Sequence, residues 1–238
     1  LPVAGWRLGV VCAVLGLVTV LTTADVLADG VLRRWDHGLM LGNDGLGLTS
    51  GPWFRVWRTI VWAGQYWLVA LICAVAAAAV ALRLRKPWLL VGVGVWLVAD
   101  QGAVWVFKKL VGRTFPGSGR DALFTRGEAF PSGHSALGAS CLLVLAVLLP
   151  LLLRAIDVPP TGVVPRVTAW LSGPGVEGRA ARVSGRFGVP FAVLLAVLVA
   201  TATVLLGYHW PTDAMAGWSF GLLSGVVGCE VVRRTALV

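Results

Sequence analysis

The chain has 238 residues, 58% of them hydrophobic and 13% charged, whereas a soluble domain of this length carries roughly twice that charged fraction. Its net charge of +9 is spread over short loops between apolar runs, which points to anionic lipid headgroups as partners and away from nucleic acid. The apolar residues are clustered, and they predict an all-α integral membrane bundle of six transmembrane helices, forming a single domain over residues 1–238.

Leu8–Ala24 is the first charge-free run, seventeen residues long. It lacks a small-x-small cleavage site and five more such runs follow, so it is read as a membrane span and not as a leader. In the next segment Val31, Leu32, Trp35 and Leu39 recur at helical spacing, with Arg33, Arg34 and Asp36 between them. That pattern predicts a short helix lying in the membrane interface, with His37 at the interface too. Asn43-Asp44-Gly45 and Ser50-Gly51-Pro52 signal turns, and Trp53, Phe54 and Trp57 form an aromatic anchor for the second run, Thr59–Leu82. Arg83, Arg85 and Lys86 close that run.

Pro87–Phe107 is the third run, interrupted by Asp100, and Lys108-Lys109 ends it. Asp100 lies about 12 Å down the helix from Lys108 at 1.5 Å per residue, too deep to work on a headgroup. A hydrogen-bonded structural role beside Gln101 is predicted for it. A polar, basic connection leads to Ser135–Leu153, nineteen residues without a charge. Arg154–Arg186 is rich in Pro, Gly and Arg and is predicted to be a mobile surface loop. Phe187–Tyr208 and Ala214–Cys229 are the fifth and sixth runs. Cys12, Cys73, Cys141 and Cys229 all fall inside apolar runs, as small core residues and not as disulfides or metal ligands.

Six spans put both termini on one side of the membrane. That side holds eleven of the twenty Lys and Arg residues and the other holds nine. Five of the nine (Lys108, Lys109, Arg113, Arg120, Arg126) sit in one loop where chemistry gives them a reason to be. Discounting those places the termini in the cytoplasm and the loops after spans three and five on the extracytoplasmic side of the plasma membrane.

Those two loops carry the motifs. Phe130-Pro131-Ser132-Gly133-His134 sits at the N-terminus of the fourth span. Unpaired amides and the positive pole of the helix dipole make such an end a seat for phosphate. Gly133 permits close backbone approach, and His134 exchanges protons near neutral pH. The plainer reading of these five residues alone is a turn that caps a helix. His209 and Asp213 are four apart, one helical turn, so a carboxylate can fix the imidazole tautomer and leave the other nitrogen free as nucleophile or base. Alone, that pair also reads as capping of the sixth span with an interfacial histidine. The basic loop residues, taken singly, read as headgroup contacts, with Arg120-Asp121 and Arg126-x-Glu128 as local pairs.

Taken together, these pieces resemble the type 2 phosphatidic acid phosphatase superfamily of membrane lipid phosphatases, over roughly residues 50 to 230. Lys108 and Gly112-Arg113 stand for the family's first motif, Pro131-Ser132-Gly133-His134 gives the second in full, and His209-x-x-x-Asp213 the third. Two arginines of the family pattern are missing. Phe115, followed by Pro116, stands in the first motif, and Ala202-Thr203 replaces Ser-Arg before the third. The resemblance implies hydrolysis of a lipid phosphate or diphosphate through a phosphohistidine. His209 would attack phosphorus, Asp213 orient it, and His134 serve the leaving oxygen and then water. Lys108, Arg113, Ser132 and Gly133, with Arg120 as a further cation, would hold the phosphoryl oxygens. Phosphatidic acid, phosphatidylglycerol phosphate and a polyprenyl diphosphate are the candidate substrates, the last slightly favoured by family analogy. No cofactor is implied, and no acidic cluster near these loops suits a metal. The alternative on the same scaffold is a catalytically weakened, lipid-phosphate-binding regulatory protein, motivated by Phe115 and Thr203. A transporter would place its polar residues near the midplane, and six apolar runs argue against a soluble peroxidase bearing the same motifs.

Overall fold

The computed structural model describes residues 5–41, 50–157 and 176–237, and among them every regular element is helical. The helices are α1 (Gly5–Leu27), α2 (Val31–Leu41), α3 (Gly51–Ala63), α4 (Tyr66–Leu84), α5 (Pro87–Val111), α6 (Gly133–Asp157), α7 (Val176–Leu205) and α8 (Pro211–Leu237), with a short 3-10 turn at Pro116–Ser118. Six stretches are long and apolar enough to cross a membrane, one each in α1, α4, α5, α6, α7 and α8. The chain is a multi-pass helical membrane protein.

Local chemistry sets the boundaries. Arg85 ends α4 in the left-handed conformation, and Pro87, which lacks an amide for α4 to use, opens α5. Gly112 ends α5 at φ +55°, a conformation glycine adopts without strain. The predicted second run, Thr59–Leu82, is divided at Gly64-Gln65. Its first turns belong to α3, which carries the tryptophan anchor and packs Val61 against Ala202 of α7 and Leu206 just past its end. Gly64 lets the corner between α3 and α4 pack closely on α7, since a Cβ on it would lie 2.5 Å from Val199 Cγ2. The predicted linker 154–186 is shorter than expected. Helix continues to Asp157 and resumes at Val176, and the rest of that loop, like the turn at 43–45, lies outside the described residues.

The amphipathic segment does form α2, but it is turned with Asp36 and Met40 inward and Val31, Leu32 and Trp35 outward. An interfacial helix presents its apolar face to lipid, so the acid is the residue left to face protein. Asp25 receives the amides of Leu32 and Arg33 and so caps its start.

The apolar core lies between α4, α5, α6 and α8, around Cys73, Val80, Leu89, Val93, Val144, Leu148 and Val232. All four cysteines are free. Asp100 is buried in the same bundle and bonds to Ser140 Oγ at 2.5 Å, so its partner is Ser140 and not Gln101. One contact matters most for the site. Gly217, Gly221 and Gly225 line the face of α8 that meets α6. A Cβ at these positions would lie 2.5 Å from Ser132 O, 2.1 Å from Ala136 O and 3.1 Å from Leu143 Cβ. Small residues at i, i+4 and i+8 let two helix backbones approach closely, and the upper end of this contact holds the start of α6 against the start of α8.

Candidate active site

Three loops meet at one end of the bundle: those after α1, α5 and α7. The loop after α5 folds back on itself through Thr114 N to Ala122 O, Phe124 N to Val111 O, Thr125 N to Gly112 O and Ala129 N to Arg113 O. Trp210, fully buried, donates its indole N–H to Thr114 O at 2.7 Å and so pins that loop to the turn before α8.

The start of α6 is capped by Ser132, whose Oγ accepts the Ser135 amide at 3.3 Å, while the Ser132 amide donates to Asp213 O at 3.0 Å. Ser132 is therefore buried and committed to joining α6 and α8; it does not line the cavity. The amides of Gly133 and His134 remain at the open first turn of the helix, where no intrahelical acceptor exists.

His209 sits in the turn between α7 and α8, held by its amide to Thr203 O at 3.3 Å. Its Nδ1 is 3.6 Å from Asp213 Oδ2, and that oxygen also accepts the Trp210 amide at 3.0 Å. The pair is one turn apart as the spacing predicts, but 3.6 Å is longer than a hydrogen bond, and Nδ1 is buried without a hydrogen-bond partner. His134 and His209 face each other with ring centroids 6.1 Å apart, between Tyr66 on one side and Phe115 on the other. The Nε2 atom of His134 is buried without a hydrogen-bond partner, and the partnerless state is costly unless something polar comes to it.

A cavity of about 280 Å³ opens here, lined by Tyr66, Gln101, Lys108, Phe115, Glu128, Gly133, His134 and His209 among others. Lys108 is the one cation among its described lining residues, and its Nζ donates to Glu128 O. Glu128 is partly exposed at the rim, and the hydrogen bond from Lys109 holds its carboxyl below the usual glutamate range. The site carries little positive charge for a phosphate cradle.

Arg113 is not in the cavity. Its side chain is fully buried behind Asp213, so the expectation that it holds phosphoryl oxygens is corrected. Nε donates to Asp121 Oδ1 at 2.9 Å. Nη1 donates to Thr212 Oγ1 at 2.7 Å and to Asp213 Oδ1 at 2.9 Å. Nη2 donates to Asp36 Oδ2 at 2.9 Å and to Asp121 Oδ2 at 2.8 Å. A guanidinium has five N–H donors, and all five are taken. Arg120 and Arg126 are exposed and line no part of the cavity. Asp121 pairs with Arg33 and Arg113 and not with Arg120. Burial pushes its carboxyl up, but the hydrogen bonds and charges of the two arginines outweigh this and hold it below the ordinary value.

Asp36 is the residue that sequence reasoning missed. It is fully buried, accepts the Thr212 amide on Oδ1 at 3.1 Å, and takes the Thr212 hydroxyl and Arg113 on Oδ2. Burial dominates its environment and pushes its carboxyl from 3.8 up to about 6, against the Thr212 and Arg113 contacts. The only sequence signal was an acid at helical spacing before Met40 in an otherwise interfacial segment. Tyr66, Gln101 and Glu128 had no signal of their own. Thr203 is buried at the end of α7 and accepts the Tyr208 and His209 amides, so it shapes the turn and does not face the cavity.

No curated protein matches the chain in sequence. Among solved structures it is similar to the crystal structure of the first transmembrane PAP2 type phosphatidylglycerolphosphate phosphatase from Bacillus subtilis, with a TM-score of 0.66, 20% identity, and 94% of this chain and 96% of that one covered. At that identity the likeness concerns the fold. The family model for the PAP2 superfamily matches residues 89–235, a stretch that runs from the third span through His134, His209 and Asp213, and the chain belongs to that superfamily.

Proposed function

We propose that the protein hydrolyses a lipid phosphomonoester through a phosphohistidine on His209. The observation that carries this is the pair of histidines facing each other across a cavity that also holds Lys108 and the open end of α6. In the first step His209 Nε2 attacks phosphorus, the bond from phosphorus to the lipid oxygen breaks, and His134 gives that oxygen a proton. In the second step His134 takes a proton from water, the hydroxide attacks phosphorus, and the phosphorus–nitrogen bond breaks to release inorganic phosphate. Asp213 Oδ2 stands 3.6 Å from His209 Nδ1, and that separation closes to a hydrogen bond as positive charge develops on the ring. Lys108, with the amides of Gly133 and His134, stabilises the equatorial oxygens, where phosphoryl transfer needs most help.

The low positive charge of the cavity favours a monoester over a polyprenyl diphosphate, whose extra charge would meet no second cation. Phosphatidic acid and phosphatidylglycerol phosphate are therefore the preferred candidates. The latter is in line with the phosphatidylglycerolphosphate phosphatase of similar fold. The three joined loops, on the side opposite both termini, are assigned to the extracytoplasmic face of the plasma membrane.

The carboxylates at hand are engaged: Asp213 with Arg113 and the Trp210 amide, Glu128 with Lys109. Among the described residues no three His, Cys, Asp or Glu side chains gather as a metal site would require. Activity is expected to persist undiminished in EDTA. The test is phosphate release by purified protein in detergent with EDTA, offered phosphatidic acid, phosphatidylglycerol phosphate and a polyprenyl diphosphate, alongside His209→Ala. Release from a monoester that vanishes in the variant supports the reading. Release unchanged in the variant refutes it. No release from any lipid favours a second reading, a non-catalytic lipid-phosphate-binding protein, for which Phe115 against the His209 ring is the specific observation.

A further inference from the structure

We propose that Arg113 is a positioning residue for the His209–Asp213 pair, held in place by Asp36 and Asp121, and that it makes no contact with phosphate. The proposal rests on the reading of His209 as the nucleophile. The two oxygens of Asp213 are divided between two tasks. Oδ1 accepts from Arg113 Nη1, and Oδ2 accepts the Trp210 amide and points at His209 Nδ1. A carboxylate held only at Oδ2 can rotate about its Cβ–Cγ bond. The arginine at Oδ1 fixes that torsion, and with it the direction from which Oδ2 meets the imidazole.

Arg113 can do this because it is itself immobilised. Its planar fork is engaged at every donor, and the Trp210 ring lies 4.9 Å from its Cζ. Asp121, tied also to Arg33 of α2, grips its Nε and Nη2 edge. Asp36 grips Nη2 and receives both the amide and the hydroxyl of Thr212 at the start of α8. The carboxylate that orients the nucleophile is thus referenced to a helix of the first loop. Asp213 Oδ2 is the acceptor nearest to His209 Nδ1, which favours an imidazole with its proton on Nδ1 and a free Nε2. A plain structural arginine would need no contact to Asp213.

The test uses the full chain in detergent with 15N-labelled histidine, in wild type, Arg113→Lys and Asp36→Asn, with Lys108→Met as a comparison that removes the cavity cation. His209 faces Asp213 on its own side, His134 from α6, and Lys108 and Glu128 across the cavity, and these groups are the same in the Arg113 and Asp36 variants. A lysine keeps the charge but not the fork. Arg113→Lys is expected to lower kcat by about 10- to 100-fold, the range that misplacement of a catalytic group by up to 1 Å produces, with KM changed less than about threefold. It is also expected to lower the Nδ1–H fraction of His209. Asp36→Asn, which leaves the Arg113–Asp213 contact in place, is expected to move the same readouts in the same direction by less, and it stands in if the lysine variant does not fold. Lys108→Met is expected to raise KM and lower kcat together, with the Nδ1–H fraction of His209 unaltered. A rise in KM with an unaltered His209 signal in Arg113→Lys would make it a phosphate ligand, and unaltered kcat and His209 signals in a folded variant would make it merely structural; either overturns the proposal. If wild type hydrolyses no lipid, the functional reading fails, while the His209 tautomer in the variants still decides the positioning role.

Discussion

Gly217→Ala tests whether the contact between α6 and α8 sets the catalytic geometry. The added Cβ would lie 2.5 Å from Ser132 O, 3.1 Å from Ser135 Cβ and 3.2 Å from Ser132 N. Backbone atoms cannot swing aside, so the start of α6 must move by at least about 0.5 Å to reach the 3.0 Å below which such contacts are essentially not seen. The moving residues are the cap of α6 and its neighbours Gly133 and His134. A displacement of about 1 Å costs on the order of a hundredfold in rate, so half of it is expected to cost about tenfold in kcat. Overpacking of this kind also costs about 1–3 kcal/mol in stability. Gly225→Ala is the matched control. It sits on the same face about 12 Å further along α8 at 1.5 Å per residue and meets Leu143 and Ser140 at 3.1 Å, far from the histidines. Phosphate release and thermal unfolding in detergent would be measured for both. The expected pattern is a loss of stability in both, smaller in Gly225→Ala, with loss of kcat only in Gly217→Ala. Full activity in Gly217→Ala, or an equal loss in Gly225→Ala, refutes the argument.

Asp36 sets a pH dependence. Its carboxyl is raised to about 6 by burial, and a group raised on folding contributes stability that is fully present below its unfolded value near 3.8 and lost as pH rises through about 6. The stability of wild type relative to Asp36→Asn, followed by denaturant unfolding in micelles, is expected to fall by about 1 kcal/mol from pH 5 to pH 7; a constant or rising difference counts against it. Phe115→Arg places a second cation at the cavity wall. A hydrogen bond from a charged group contributes about 1.5–3 kcal/mol, so kcat/KM is expected to rise about 10- to 100-fold, and more for a diphosphate than for a monoester; equal or lower values for both would show that this wall does not meet the phosphoryl group.

Much of this was legible in the chain because membrane helices announce themselves. Charge-free runs placed the first, fourth and fifth spans to within three residues and located the third and sixth while stopping short of their C-terminal ends, and Pro131-Ser132-Gly133-His134 and His209-x-x-x-Asp213 named the histidines whose ring centroids the fold brings to 6.1 Å. The second span was misjudged because apolarity runs straight through Gly64-Gln65, where only a backbone bend separates α3 from α4. Arg113 was misassigned for a deeper reason. Its sequence neighbours are basic and its nearest cavity cation is Lys108, but its partners are Asp36 and Asp213, which stand on other helices. Proximity in sequence says which cations are available; only the packed loops say which are already neutralised. Asp36 was hidden the same way, since polar residues of an interfacial helix ordinarily face water, and here three converging loops had replaced the water.

The five-donor network also orders the making of the molecule. Asp36, Arg113 and Asp121 are synthesised well before Thr212 and Asp213. Until the last hairpin enters the membrane, two of the Arg113 donor bonds have no acceptor. A half-satisfied buried charge cluster is unfavourable, so seating α7 and α8 and closing the cluster become one event. Before that event the chain already holds Lys108 and His134, but neither His209 nor Asp213. The two facing histidines, with the carboxylate behind one of them, therefore come together only in a chain whose final hairpin has been threaded and docked.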